Sequence, residues 1–391
     1  MNFVFVSKGI YPDQHAAAIR HSTIAQGIVE NGHLLNFLLL SEQAWPNPIL
    51  KYKGVSFETF NNYKGTNKFK RLFNLYKALN KAKKRISRIN QNSQIDAIVV
   101  FSIDILVLHG LISFAKKQRI KIFHERTELP YIIGKENSIF GKLKFNYYLK
   151  TLIPEFDGIF VISDKLKSYL SKYNQNIEKI LTVVDTQFFS SINHRIYDFP
   201  YIAYCGTMSG TKDGVPILIE SFTQLSKTFP SHKLILIGDN RDKQKIKETL
   251  DTIAHFDIQE KVVFTGLINR DDMPGLLGHA DLLVVSKPEN EQNSGNFPIK
   301  IGEYLATGVP VVVTKVGEIS KFITDGLTGF ISLPNSAESF FLKMDEALTD
   351  YEKAKEIGIK GKQIAEKIFG YKIQAKRMCD YINKINMSNG R

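Results

Sequence analysis

Apolar residues fall along this chain in short dense runs, separated by longer stretches where they recur every three or four positions. The dense runs predict strands over residues 2–7, 34–40, 95–101, 120–123 and 158–162, and again over 201–205, 233–237, 261–265, 281–285 and 309–314. Most are continuous rather than alternating, as parallel strands covered on both faces require. Helical patterns lie between them, for example 16–30 closed by Gly32 and 215–228 closed by Pro230. This alternation builds doubly wound α/β sheets. It pauses at 190–200, SSINHRIYDFP, a polar stretch that reads as a linker. The pattern therefore predicts two parallel-sheet domains, 1–190 and 199–370, and a last helix over 371–385. Ligands of such sheets bind beyond the carboxyl ends of the strands, so two facing sheets would enclose a cleft.

A length of 391 residues fits two domains. The composition, 43% apolar and 23% charged, is that of a globular protein. No run approaches the ~20 apolar residues that span a bilayer. The opening MNFVFVSKGIYPDQ has no basic region before its apolar run and reads as a buried strand rather than a signal peptide. Cys205 and Cys379 are the two cysteines, and their spacing argues against a disulfide scaffold or a zinc site. A reducing cytoplasm is the expected compartment.

Charge changes the picture. The net charge of +13 lies wholly in residues 1–190, with 27 basic and 14 acidic residues, whereas 191–391 hold 25 of each. Residues 51–90 alone hold twelve basic residues and one acid, Glu58. An anionic partner for the first half is implied. Without a nucleic-acid motif, an anionic membrane surface is preferred to nucleic acid. Residues 66–90 are helix-like, with Phe69, Leu72, Phe73, Tyr76, Leu79 and Ile86 near helical spacing among nine basic residues. The expected arrangement keeps the apolar stripe in the core and turns the basic flank to lipid, with 141–152 as a second contact.

Two stretches of the second half carry chemistry. In 294–313, SGNFPIKIGEYLATGVPVVV, a loop leads into a short helix near Pro298 that ends at Gly308. Proline suits a first helical position, and a helix N-terminus after a loop is an anion site. Lys300 in the first turn opposes the helix dipole, which makes sense beside a phosphate. Glu303, one turn on, could accept hydrogen bonds from a ribose diol. In 201–222 a buried strand leads through Gly206 and Gly210 to Lys212 at a helix entrance, an arrangement open to phosphate.

Together these stretches resemble the C-terminal domain of GT-B glycosyltransferases, specifically the retaining family 4 (glycosyl transferases group 1). Lys212-Asp213-Gly214-Val215 is similar to its lysine–glycine motif, Leu236-Ile237-Gly238-Asp239 and Val263-Phe264-Thr265-Gly266 to its next strand ends, and 303–312, EYLATGVPVV, to its best-known segment. In the first half Asn31-Gly32-His33, Val184-Asp185 and Phe189 fit more loosely. Three positions depart from the family pattern. Gly295 stands where a glutamate is common, Thr207 where an arginine often follows the glycine, and His15-Ala16-Ala17 where a glycine pair is usual.

The resemblance implies a GT-B fold whose final helix crosses back to the first domain. It implies a retaining, metal-independent hexosyltransferase that moves sugar from a UDP- or GDP-sugar to a glycan or lipid-linked acceptor in cell-surface polysaccharide synthesis. Donor contacts are expected at Gly206, Thr207, Gly238, Gly266, Gly295, Asn296, Phe297, Pro298, Ile299 and Glu303. Lys212 and Lys300 would stabilise the leaving diphosphate. His124 resembles the family histidine near the donor sugar. His15, Arg20, Glu125 and Glu128 are acceptor candidates, from helix 16–30 and from HERTELP after the strand at 120–123. No protein cofactor, metal site or nucleic-acid partner is expected. The enzyme would work in the cytoplasm, peripherally on the inner face of the membrane. A nucleotide-sugar epimerase of the same fold and a two-lobed binding protein without turnover are the alternatives.

Overall fold

A computed structural model describes residues 1–8, 16–40, 48–60, 67–130, 139–192, 194–208, 210–239, 241–244 and 246–388. The chain divides into two compact units, Met1–Leu181 with Tyr371–Arg391, and Thr182–Gly370.

The first unit holds an eight-stranded sheet. Its strands are β1 (Asn2–Ser7), β2 (Leu34–Leu39), β3 (Ile49–Tyr52), β4 (Val55–Thr59), β5 (Ala97–Phe101), β6 (Ile122–Arg126), β7 (Gly158–Val161) and β8 (Ile177–Lys179). Their order is β3-β4-β2-β1-β5-β6-β7-β8, parallel except for the β3–β4 hairpin. Helix α1 (Ala16–Glu30) packs with the terminal helix Tyr371–Ser388. Helices α2 (Lys68–Asn92), α3 (Ile105–Gln118) and α4 (Ile139–Tyr147) make rightward crossovers, which right-handed connections place on the opposite face. Buried Leu79, Ile86, Leu108, Leu111 and Tyr148 join that face's core. Local chemistry sets the helix starts: Asp104 Oδ1 accepts from the N–H of Leu106 (3.1 Å) ahead of α3, and Asn67 from that of Lys70 (2.9 Å) ahead of α2.

The terminal helix returns to the first unit, as the family resemblance implied. Tyr371 donates its hydroxyl to Glu30 (2.8 Å), and Gln374 accepts the N–H of Leu181 (2.9 Å).

The second unit holds β9 (Tyr201–Cys205), β10 (Lys233–Ile237), β11 (Val262–Gly266), β12 (Leu282–Val285), β13 (Val311–Thr314) and β14 (Phe330–Ser332). These pair in parallel in the order β11-β10-β9-β12-β13-β14. Four strands were not anticipated: β3, β4, β8 and β14 are short and lack a dense apolar run.

Two expectations need correction. The division falls at Leu181–Thr182, ahead of the 190–200 linker. The segment after Leu181 is bound into the second unit: Val184 N–H donates to Phe369 O (2.9 Å), and Ser190 Oγ to Ala306 O (3.4 Å). Helix α2 also differs. Leu75, Ala78, Leu79, Ala82, Ile86 and Ile89 are buried, but Phe69, Leu72, Phe73 and Tyr76 are exposed. The apolar positions form two stripes rather than one, and the first does not face the core.

Candidate functional site

In the second unit, three adjacent strands reach glycine at their carboxyl ends: Gly206 follows β9, Gly238 follows β10, and Gly266 ends β11. Gly206 N–H donates to Ile237 O (2.9 Å) and Gly238 N–H to Gly266 O (3.1 Å), forming a continuous ledge. A Cβ on Gly238 would sit 2.2 Å from Gly206 O, and one on Gly206 would sit 2.3 Å from Lys300 Nζ. Their φ angles, +150° and +152°, are also ones that L side chains rarely adopt. A side chain at Gly238 would collide with the ledge itself, and one at Gly206 with Lys300.

Lys300 reaches this ledge from the first turn of the helix Ile299–Thr307. Its ammonium donates to Tyr204 Oη (3.0 Å) and Asp213 Oδ1 (3.1 Å) and lies 4.4 Å from the Tyr204 ring centre. Asp213 is buried and also accepts from the Thr207 hydroxyl. Burial alone would raise its pKa; Lys300, Thr207 and Lys287 outweigh it and hold the carboxyl below its ordinary value. Burial pushes the Tyr204 hydroxyl well above its ordinary pKa, so it stays protonated and donates to Thr207 O (2.7 Å). Thr207 therefore serves Asp213 from the position where the family often has arginine.

The helical turn Gly210–Asp213 and Gly214 after it are tied to the segment that precedes Lys300. Ser286 Oγ donates to Gly214 O (2.9 Å), buried Lys287 to Asn293 Oδ1 (2.6 Å), and Asn293 Nδ2 to Lys212 O (3.1 Å). Lys212 stands half-buried at the entrance of the helix Val215–Thr228. Gly295 closes the short helix Glu291–Ser294, Asn296 follows it, and Pro298 caps the helix opened by Ile299. Phe297 is a correction among the donor candidates. It is buried edge-on against Phe322 (5.3 Å) and packed on Phe369 (5.4 Å), so it supports the loop from beneath.

Glu303 projects from the same helix as Lys300. Its Oε1 accepts from Arg270 (2.7 Å), whose guanidinium lies 4.9 Å from the Phe189 ring centre. The structure thus gathers Gly206, Thr207, Gly238, Gly266, Lys212, Lys300 and Glu303 around one sheet edge. It adds Tyr204, Arg270, Lys287 and Asn293, which the sequence did not single out, and gives a partner role to Asp213. Asp213 lies inside the lysine–glycine motif, between Lys212 and Gly214.

The first unit corrects three site candidates. His124 and Glu125 lie within β6 rather than after it, and consecutive strand residues point to opposite faces. His124 is fully buried, with Nδ1 bonded to Val100 O (2.9 Å) and Nε2 to Tyr148 Oη (2.9 Å). A carbonyl only accepts, so Nδ1 carries the proton and Nε2 accepts from tyrosine. Burial, aided by Arg126, lowers its pKa to about 3. Such a ring is a core element and does not reach a substrate.

Glu125 faces α1. Its Oε1 accepts from Arg20 Nε (2.8 Å), and its Oε2 lies 3.2 Å from His21 Nε2. Arg20 also donates to Leu181 O (2.6 Å) and Ile180 O (2.9 Å). Burial opposes the charge on Glu125, yet Arg20 and His21 hold its pKa at about 2. Arg20 and Glu125 are committed to each other and fasten α1 to the sheet; neither is open to an acceptor. Glu128 is half-buried, its carbonyl accepting from Arg126 (3.1 Å), and His15 lies outside the described residues. Among the described residues, no group of three or more His, Cys, Asp or Glu is placed to hold a metal ion. Nor is any helix of those residues long and apolar enough to cross a membrane.

Residues 187–364 match the family described as Glycosyl transferases group 1. The lipopolysaccharide 1,2-N-acetylglucosaminetransferase of Salmonella typhimurium is 31% identical over 177 residues, 44% of this chain and 42% of that protein. The chain thus spans less than half the length of that relative. Among solved structures, sucrose-phosphate synthase from Thermosynechococcus elongatus superposes with a TM-score of 0.75 at 14% identity, covering all of both chains. Anabaena HepE in complex with UDP and glucose superposes at 0.75 and 17% identity, covering 98% of this chain and 100% of that one. These likenesses establish the GT-B fold.

Proposed function

For a chain whose residues 187–364 form a group 1 glycosyltransferase domain, we propose a retaining transferase of family 4. It moves a sugar from a nucleotide-diphosphate sugar to a glycan or lipid-linked acceptor in cell-surface polysaccharide synthesis. The observation that carries this reading is Lys300 poised over the bare glycine ledge at the ends of β9, β10 and β11. The second unit is the donor domain and the first the acceptor domain. The diphosphate lies against the ledge, beside the Lys300 ammonium that covers Gly206. Lys300 and Lys212 face its charge, which grows as the bond from the anomeric carbon to the diphosphate oxygen breaks. Two lysines supply this charge from the protein itself, which supports metal independence. The acceptor oxygen bonds the anomeric carbon on the face the diphosphate leaves, and a departing phosphate oxygen takes the hydroxyl proton. No protein nucleophile is needed. Glu303 keeps Oε2 for a ribose hydroxyl while Arg270 holds Oε1.

The basic excess of residues 1–190 supports a cytoplasmic enzyme attached peripherally to the anionic inner face of the membrane. UDP and GDP should raise the melting temperature by mass action. Glu303→Gln should weaken nucleotide binding roughly tenfold by removing a charge-assisted hydrogen bond. Calorimetry showing equal affinity for both forms would reject the ribose role. Incubation of the donor alone that yields an epimerised sugar would replace transfer with epimerisation.

A further inference from the structure

Helix α2 has three faces where an ordinary surface helix has two. Leu75, Ala78, Leu79, Ala82, Ile86 and Ile89 pack into the first unit. Lys70, Lys77, Lys81, Lys84 and Arg88 form an exposed basic row along its length. Phe69, Leu72, Phe73 and Tyr76 form a third stripe, at i, i+3, i+4 and i+7, confined to the first turns. At 3.6 residues per turn, this stripe lies about 120° around the helix from the buried one. Phe69 is 84% exposed, more than its place in an apolar repeat would suggest. The Lys77 ammonium lies 4.3 Å from the Phe73 ring centre, so charge and aromatic ring sit side by side.

Residues 68–92 contain nine basic residues and no acid. Two of the nine are poor candidates for a lipid contact. Arg85 pairs with Glu58 (2.6 Å), and Lys83 is partly buried, with its pKa lowered by desolvation. The row is therefore the part of the helix directed outward. Helix α4 repeats the arrangement on a smaller scale, exposing Ile139, Phe140 and Leu143 beside Lys142 and Lys144. Both helices run from the carboxyl ends of strands toward their starts, so both apolar turns open at one edge of the sheet.

Resting on the membrane reading above, we propose that the first two turns of α2 insert into an anionic bilayer. Phe69, Leu72, Phe73 and Tyr76 enter the acyl boundary, while the row from Lys70 to Arg88 meets the headgroups. Charge complementarity selects this occupant. Each lysine or arginine near an anionic leaflet multiplies the partition roughly fivefold, and an interfacial helix adds its buried apolar area to that attraction. Lysine stems lie along the apolar stripe and keep their ammonium groups in the headgroup layer.

The test uses the full chain and vesicles of phosphatidylglycerol mixed with phosphatidylcholine, against phosphatidylcholine alone. Wild type should sediment with the mixed vesicles and keep part of that binding at high salt. The combined Phe69→Ser, Leu72→Ser and Phe73→Ser variant should bind at least ~10-fold less and be released fully by salt. Its melting temperature should be unchanged, because these side chains are exposed. Phe73→Trp in a Trp45→Phe background should blue-shift with mixed vesicles and be quenched by brominated acyl chains. Equal binding of the serine variant and wild type, or an unquenched tryptophan, overturns insertion. If Lys77→Gln, Lys81→Gln and Lys84→Gln then still abolish sedimentation, the electrostatic reading survives alone. Failure of wild type to bind mixed vesicles overturns both.

Discussion

At the end of β6 a glutamate and the arginine it binds are fully withdrawn from solvent; beyond β9 a lysine and a glutamate keep a small exposed surface. The side chains of Arg20 and Glu125 are 1% and 2% exposed, whereas those of Lys300 and Glu303 are 16% and 11% exposed. The residue types are nearly the same, so charge alone does not decide which sheet end becomes a site. The strand ends do. In the second unit three neighbouring strands reach glycine, and Lys300 lies over the first of them. In the first, β1, β5 and β6 end at Ser7, Phe101 and Arg126, which carry buried side chains where the second unit has none.

The strongest way to break this contrast is to remove one partner of the interior pair. Arg20→Met should destabilise the first unit by about 3–5 kcal/mol, because it strands a buried carboxylate. Adding Glu125→Leu should restore part of the loss. Denaturant unfolding that changes by less than ~1 kcal/mol would mean the pair is not desolvated.

Lys300→Ala comes next. Turnover should fall about 100-fold, with a smaller loss of nucleotide affinity, if the ammonium answers charge that develops during bond breaking. A change confined to KM would make Lys300 a binding group.

The smallest effect is one of pH. His124 and Glu125 both have folded pKa values below their unfolded ones, about 3 against 6.5 and about 2 against 4.5. The unfolded chain therefore binds more protons in acid. The His124 contribution is complete above its unfolded value and is lost as pH falls from there toward about 3. The Glu125 contribution is lost lower, between its own two values. At about pH 5, His124 alone should cost about 2 kcal/mol. His124→Gln should flatten the stability profile above the Glu125 window; an unchanged slope there would mean the ring is solvated.

The alternation of strand and helix was legible because most strands are continuous apolar runs. β3, reading ILKY at an exposed sheet edge, and β4, alternating as VSFET, lack that signal. Gly206 was legible from the strand–loop–helix pattern it interrupts, whereas Gly238 and Gly266 came only with the family resemblance. The apolar run stops at Phe123, so the sequence alone puts His124 beyond the strand. Once β6 runs on to Arg126, period two sends His124 and Glu125 to opposite faces. The partner roles of Asp213 and Arg270 were hidden for another reason: their partners lie 87 and 33 residues away, and only folding brings them together. The two apolar stripes of α2 share one helical spacing, so spacing alone could not reveal that the first two turns face outward.

The return of the terminal helix has a consequence for how the chain matures. Tyr371, Met378, Cys379, Ile382 and Ile385 are buried in a unit that began at residue 1, while residues 182–370 form a body of their own. During synthesis the second unit can close as soon as its own sequence has emerged. The first must wait, with one side of α1 open, until residues 371–388 leave the ribosome. The unit that starts first is finished last, and throughout that interval the apolar surface that the terminal helix covers stays open to solvent.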